Sequence, residues 1–149
     1  MRYARSVFCT ATAAALVAGS TAFLATPASA APNTTPQKVC GSAYKTVNSA
    51  AVGSLGTVYL TYNSANGRNC VATIRNTPGT ALAMSAWIRL TGTTTTISDS
   101  GNYTSYAGPV YIYGKARCVD WGGSIKNVSV TVTNSNCGAL KEHRVTTVR

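Results

Sequence analysis

The sequence predicts an all-β fold: a small antiparallel sandwich or barrel of about seven short strands, stabilised by two disulfides. Two observations predict this fold. Stretches in which apolar and polar side chains alternate with a period of two recur at intervals of about ten residues, and turn residues such as glycine, proline and asparagine separate them. Stretches with helical periodicity are scarce, so little helix is expected.

The first thirty residues have the three parts of a secretory signal. Arg2 and Arg5 supply a basic start, residues 7–24 are apolar and rich in alanine, and Ala28-Ser29-Ala30 supplies small residues for cleavage after Ala30. A membrane anchor is the alternative, but threonines interrupt the apolar stretch and its length is marginal for a span. We therefore expect a signal peptide over 1–30 and no membrane span after its removal.

Cysteine usage predicts the two disulfides. One of the five cysteines, Cys9, leaves with the signal, and an exported chain with the remaining four is expected to carry two disulfides. Three pairings are possible. We expect Cys40 to pair with Cys70 and Cys118 with Cys137, because each pair then joins neighbouring strands. No CxxC or Cys/His cluster is present, so no metal or cofactor is expected.

The charge of the chain favours anionic partners. Without Arg2 and Arg5, eleven of the 13 basic residues remain against 3 acidic ones, a net charge of +8. Such a balance is typical of a protein that meets anionic cell-surface polymers. The basic residues are scattered rather than clustered with aromatic ones, so a specific nucleic-acid function is not expected.

The chain before Cys40 is expected to form a flexible N-terminal arm. Residues 31–39 are mostly polar, contain two prolines and show no periodicity. Such an arm could be donated to a partner as an extra strand, although an ordinary frayed terminus is the simpler interpretation. The β domain is expected to follow over 40–138, and a basic tail over 139–149.

The first half of the β domain contains the clearest hairpin. It follows a weak strand pattern in 44–52 and joins 57–63 to 69–76 through Asn66-Gly67, the pair best suited to the positive φ angles of a tight turn. Residues 81–91 are rich in helix formers, but their alternation favours a strand.

The second half is organised around residues 99–123, which contain four tyrosines and a tryptophan. A threonine-rich connection over 92–96 could lead into a short strand through Ile97, and residues 98–101 are expected to form an Asx-type turn. Strands are predicted over 109–113 and 116–121, and Gly122-Gly123 is expected to end the second of them. A last strand is predicted over 125–133.

Aromatic and basic residues supply a candidate binding surface. Trp87 with Arg89 could form a ligand platform or a cation–π pair that only covers the sheet. Tyrosine and tryptophan are also frequent at core rims, so a structural role competes with a binding role. The candidate binding residues are Tyr103, Tyr106, Tyr111, Tyr113, Trp121, Lys115, Arg117 and Trp87.

Residues with catalytic potential are few. The single histidine, His143, lies in the polar tail, and Asp99 with Asp120 is the only candidate pair of carboxylates for glycoside chemistry. No phosphate-binding loop or nucleophile motif is present. We therefore expect no enzymatic activity and no catalytic residues.

Three stretches carry a family resemblance: SLGTVYLTYN at 54–63, NCVATIRN at 69–76 and GNYTSYAGPVYIYGKARCVDWGG at 101–123. They resemble the spore-associated protein A family of secreted proteins from filamentous, spore-forming actinobacteria. The resemblance covers most of 40–137, whereas the arm and the basic tail differ. It implies export and association with the spore or aerial-hypha surface, and it brings no catalytic motif.

These observations together predict a secreted, non-enzymatic protein of the cell or spore surface that binds a surface polymer or protein partners. A further similarity, to small β-rich linker subunits of secreted antibacterial particles, implies an alternative role as an adaptor that docks through its N-terminal arm. A glycan-binding module or glycan hydrolase is a third alternative.

Overall fold

The computed structural model describes residues 33–138 as two four-stranded antiparallel sheets that pack face to face, with one short helix. The predicted all-β fold is confirmed, with eight strands instead of about seven. The predicted signal peptide, residues 31–32 of the arm and the basic tail with His143 lie outside the described residues.

The two sheets divide the strands between them as follows. Sheet A contains, in spatial order, β1 (Lys45–Val52), β2 (Gly56–Asn63), β3 (Arg68–Arg75) and β6 (Tyr106–Tyr113). Sheet B contains, in spatial order, β5 (Ile97–Tyr103), β4 (Leu82–Leu90), β7 (Val119–Ile125) and β8 (Val128–Ser135). Helix α1 spans Pro36–Cys40. We call the face of each sheet that meets the other sheet its inner face.

The core lies between the inner faces. Val58, Leu60 and Val71 from sheet A meet Ile88 and Trp121 from sheet B, and all five side chains are buried. They occupy alternate positions along their strands, as a period of two requires. The alternation that predicted the strands therefore also selects the core.

The Asn66-Gly67 hairpin forms as predicted. Gly67 has a φ of 68°, and its N–H donates to the carbonyl of Asn63 at 2.9 Å. The side-chain oxygen of Asn66 accepts from the backbone N–H of Arg68 at 3.0 Å. This turn fixes the register of β2 against β3, and thereby the face on which each side chain of β3 lies.

Two strands, β7 and β5, differ most from the prediction. β7 begins at Val119 and continues through Gly122-Gly123, where the sequence predicted its end. Gly123 faces sheet A, and a Cβ there would lie 2.1 Å from the Thr73 hydroxyl and 2.5 Å from the Ser85 carbonyl. The glycine permits a close approach of the two sheets, so it acts as a packing residue and not as a turn.

The other difference is β5, which runs through residues predicted to form a turn. Asp99 and Gly101 are turn-forming residues, but both pair with β4 along a continuous ladder from Ile97 to Tyr103. Pairing with a neighbouring strand outweighs local turn preference here, because the ladder satisfies the backbone hydrogen bonds of the whole segment.

The segment before Cys40 also differs from the predicted extended arm. Pro36–Cys40 forms a short helix with proline at its start, and the hydroxyl of Thr35 accepts from the Lys38 N–H at 3.2 Å. The helix lies on the outer face of sheet A, where Cys40 and Tyr44 join a second small core with Cys70. Both predicted disulfides, Cys40–Cys70 and Cys118–Cys137, are confirmed.

Candidate functional site

Three of the predicted binding residues lie together on the outer face of the edge strand β6. Tyr106, Tyr111 and Tyr113 stand opposite Ile74, Cys70 and Arg68 of β3, respectively. Cys70 and Ile74 belong to the small outer core, so the three tyrosines point away from the sandwich interior. Tyr113 is the most accessible of them, with 59% of its surface exposed.

Tyr111 forms a cleft with residues that the sequence analysis did not select. Its ring lies 5.6 Å from that of Tyr44 between centroids, at an interplanar angle of 60°. The guanidinium carbon of Arg68 lies 5.7 Å from the centroid of the Tyr111 ring. These three residues, with Asn66 and Cys40, line an open cavity of about 270 Å³, which we call the tyrosine cleft.

Hydrogen bonds to the backbone and to a turn residue hold the cleft. The Tyr111 hydroxyl donates to the Cys40 carbonyl at 3.0 Å, and the Asn66 amide donates to the Tyr44 hydroxyl at 3.5 Å. Burial, and then the proximity of Tyr44, raises the pKa of Tyr111, although Arg68 acts in the opposite direction. Tyr111 is therefore a neutral phenol at ordinary pH.

Positive charge lies in and beside the tyrosine cleft. Arg68 is exposed, and Lys115 and Arg117 are exposed in the loop after β6. A Cβ at Gly67 would lie 2.8 Å from the Tyr113 ring and 3.0 Å from the Lys115 side chain, so this loop meets the hairpin turn beside the cleft. The arrangement places the Arg68 guanidinium and the Tyr111 ring in the cleft, with Lys115 near the adjacent hairpin turn.

The two carboxylates in the described part of the chain lie away from the tyrosine cleft. Asp99 is opposite the buried Ala86 and points to the inner face of sheet B, where it accepts from the Gly108 N–H of β6 at 2.7 Å. Asp120 is opposite Arg89 and pairs with it on the outer face at 3.0 Å. Because the two lie on opposite faces of the sheet, they do not form the carboxylate pair of a glycosidase.

Asp120 is held as a carboxylate by its neighbours. It is only 4% exposed, and burial alone would raise its pKa. Hydrogen bonds from the Thr91 hydroxyl at 2.6 Å, the Asn134 N–H at 3.0 Å and Arg89 outweigh that effect, so the pKa of Asp120 lies below its usual value. These contacts tie β7 to β4 and to the end of β8.

The other predicted binding residues are placed elsewhere. Trp121 is fully buried between the sheets, so its inclusion in a binding surface is wrong. Tyr103 lies at the edge of the inner face of sheet B, where its hydroxyl donates to Asp99 at 2.6 Å, and this hydrogen bond raises its pKa. Trp87 lies on the outer face of sheet B beside Arg89, whose guanidinium carbon is 5.8 Å from the ring centroid.

No group of three or more His, Cys, Asp or Glu side chains is arranged to hold a metal ion within residues 33–138. No helix within this range is long and apolar enough to cross a membrane.

Comparison with known proteins identifies a relative of this chain. It is 56% identical over 102 residues to Spore-associated protein A from Streptomyces coelicolor, a match that covers 68% of this chain and 66% of the relative. The chain belongs to the spore-associated protein A family. No family model matches the chain, and no solved structure matches it.

In this member of the spore-associated protein A family, part of the tyrosine cleft could have been found from sequence. Arg68 lies two residues before Cys70, so the predicted strand, extended by one residue, places both side chains on one face. Tyr44 carries no such signal, because α1 and the Cys40–Cys70 disulfide bring it over the sheet.

The match spans just under two thirds of the relative's length, so the relative's remaining part has no counterpart in the match.

Proposed function

We propose that this chain is an exported, spore-associated protein without catalytic activity, which binds an anionic polymer of the spore or cell exterior through the tyrosine cleft. The relative's name describes spore association. The signal-like residues 1–30 and two disulfides fit an oxidising extracellular location. The observation that carries the proposal is Arg68 beside Tyr111, in a cleft whose lining residues include no carboxylate.

Arg68 supplies the specific contact in this proposal. Within residues 33–138 the one ion pair joins Arg89 to Asp120, so the Arg68 guanidinium has no carboxylate partner there. A planar guanidinium binds phosphate or carboxylate groups through two parallel hydrogen bonds. Lys115 and Arg117 add a long-range electrostatic attraction to the anionic polymer, and added salt weakens this attraction.

The tyrosines supply contact area beside the charge. Tyr111 is partly exposed at the cleft and Tyr44 beside it is nearly buried, while the hydroxyls of Tyr44 and Tyr111 are held by Asn66 and the Cys40 carbonyl, respectively. A ring fixed at its polar end loses little freedom on binding, and polymer backbone packs against its face. Binding by charge and rings together should therefore be only partly lost in high salt.

The adaptor and hydrolase alternatives have less support in the described residues. Residues 36–40 pack against sheet A and are tied to β3 by the Cys40–Cys70 disulfide, so they are not a free arm that a partner could receive. The hydrolase alternative lacks its carboxylate pair, since Asp99 and Asp120 face opposite sides of sheet B.

The test compares Arg68→Gln with Lys126→Gln in the chain that lacks residues 1–30. Lys126 is exposed in the turn between β7 and β8, outside the cleft, so the two variants lose the same charge at different places. Binding to poly(glycerol phosphate) and to washed spores is measured by sedimentation at low and high salt.

We expect Arg68→Gln to weaken binding about tenfold, which corresponds to the loss of one charge-assisted contact. Lys126→Gln should weaken it less than about twofold, as expected for a remote screened charge. Equal losses in the two variants would show that net charge alone attracts the polymer. Unchanged binding by Arg68→Gln would remove the cleft from the proposal.

A further inference from the structure

The outer face of sheet B carries a row of four serines, one on each strand. Ser100 of β5 pairs with Ser85 of β4, Ser85 pairs with Ser124 of β7, and Ser124 pairs with Ser129 of β8. Neighbouring strands lie about 4.8 Å apart, so the backbone positions of the four serines repeat across the sheet at about that spacing. The Ser85 and Ser124 oxygens are already within hydrogen-bond distance, at 2.7 Å.

The next row places the indole of Trp87 over Gly122, with the guanidinium carbon of Arg89 5.8 Å from the ring centroid. Trp87 stands between Ser98 of β5 and Gly122 of β7, and Thr131 of β8 completes the row. A Cβ at Gly122 would lie 2.8 Å from Nε1 and 2.9 Å from Cε2 of the indole, so the ring occupies the space above the glycine. Gly122 is buried under the ring, while Trp87 remains partly exposed.

This face is neutral and slightly hollow. Its charged side chains next to Trp87, Arg89 and Asp120, form an ion pair with each other. Next to the row that contains Trp87, small side chains leave a shallow recess of about 540 Å³ that is open to solvent. The recess is lined by Ala83, Met84, Ser85, Ser100, Gly101, Asn102 and Ser124.

We propose that this serine–tryptophan platform, formed by the serine row and Trp87, binds a neutral, extended β-linked polysaccharide. The apolar C–H face of a pyranose ring stacks on a flat indole, and sugar hydroxyls both donate to and accept from serine hydroxyls. A strand-to-strand repeat of about 4.8 Å is similar to the length of one sugar unit in such a chain. The neutral charge of the face matches an uncharged ligand.

The platform lies on the opposite side of the sandwich from the tyrosine cleft. The two sites can therefore be occupied together. Each proposal can also be refuted without refuting the other. A protein with an anionic-polymer site on one face and a neutral-glycan site on the other would join two components of a cell or spore exterior.

The experiment titrates the folded chain without residues 1–30 with chitohexaose and with cellohexaose, and follows tryptophan fluorescence. Trp121 is buried, so the ligand-dependent signal should come from Trp87. Retention on insoluble chitin and cellulose in high salt is measured in parallel, and the two polysaccharides distinguish the source of the sugar. We expect saturable binding to at least one of them that persists in high salt, because neither the platform nor the ligand carries net charge.

Trp87→Ala should weaken binding about tenfold, and Trp87→Phe should retain part of it. The double variant Ser85→Ala/Ser124→Ala tests the hydroxyls without altering the indole, and should weaken binding by about fivefold. Tyr113→Ala is the matched control, since it removes an exposed aromatic residue from the other sheet and should have no effect. Circular dichroism verifies that each variant is folded.

Absence of binding to both oligosaccharides and both insoluble polysaccharides would overturn the proposal. So would full binding by folded Trp87→Ala, or binding that disappears in high salt. Arg68→Gln must leave glycan binding unchanged, because it alters only the tyrosine cleft. A loss in that variant would place the sugar in the cleft and contradict the platform.

Discussion

Removal of the Cys40–Cys70 disulfide tests how the tyrosine cleft is built. In the chain-entropy treatment, a crosslink that closes a loop of 30 residues restricts the unfolded chain by about 3.6 kcal/mol at 25 °C. The same treatment gives about 3.2 kcal/mol for Cys118–Cys137, whose separation is 19 residues. The variants Cys40→Ala/Cys70→Ala and Cys118→Ala/Cys137→Ala should thus lose similar stability, measured by denaturant unfolding.

The two variants should differ in binding. A five-residue helix is not stable alone, so without its disulfide α1 should detach from sheet A, and with it the Cys40 carbonyl that accepts from Tyr111. Cys40→Ala/Cys70→Ala should therefore show faster amide exchange over 36–44 and weaker polymer binding. Cys118→Ala/Cys137→Ala should keep the wild-type rate of amide exchange over 36–44 and the wild-type polymer binding. If both variants bind normally, or if Cys40→Ala/Cys70→Ala unfolds at the wild-type denaturant concentration, the reasoning is wrong.

Asp120→Asn should lower the free energy of unfolding by about 2 kcal/mol at neutral pH, because it removes a buried, hydrogen-bonded carboxylate. Folding lowers the pKa of Asp120, so its contribution to the free energy of unfolding is present above about pH 5 and is lost as the pH falls below about 4. Between these two pH values wild type should therefore lose more stability than the variant. Urea unfolding at each pH measures this difference. Gly123→Ala should destabilise by about 1 to 3 kcal/mol, because its Cβ would overlap Thr73 and the Ser85 carbonyl. Gly79→Ala, with only the end of an arginine side chain nearby at 3.9 Å, should change the melting temperature little, and equal losses would contradict the packing explanation.

The strand pattern was predictable because a strand's side chains obey a local rule. Alternation along 57–63 and 69–76 identifies two strands, and Asn66-Gly67 fixes the turn between them. The same local reasoning failed at β5, where residues with turn preference pair along their full length with β4. It also failed at Gly123, whose role depends on Thr73 of the opposite sheet.

The candidate site was only partly predictable for a related reason. Alternation in β6 correctly places Tyr111 and Tyr113 on one face. It does not place Tyr44 and Arg68 around Tyr111, because those contacts join three separate segments of the chain.

The sequence by itself determined the fold class and the family, since these depend on residue patterns along the chain and on residues that can be matched directly, and it favoured the cysteine pairing that the structure contains. Only the tertiary structure decided which aromatic residues are exposed. Alternation states which side chains share a face, but the partner sheet decides which face is covered. Tyr111 lies on the outer face of the edge strand β6, whereas Trp121 lies on the inner face of β7, which is flanked by a strand on each side. The two strands follow one another in the chain, yet their aromatic residues differ in exposure, because a different face of each sheet is covered.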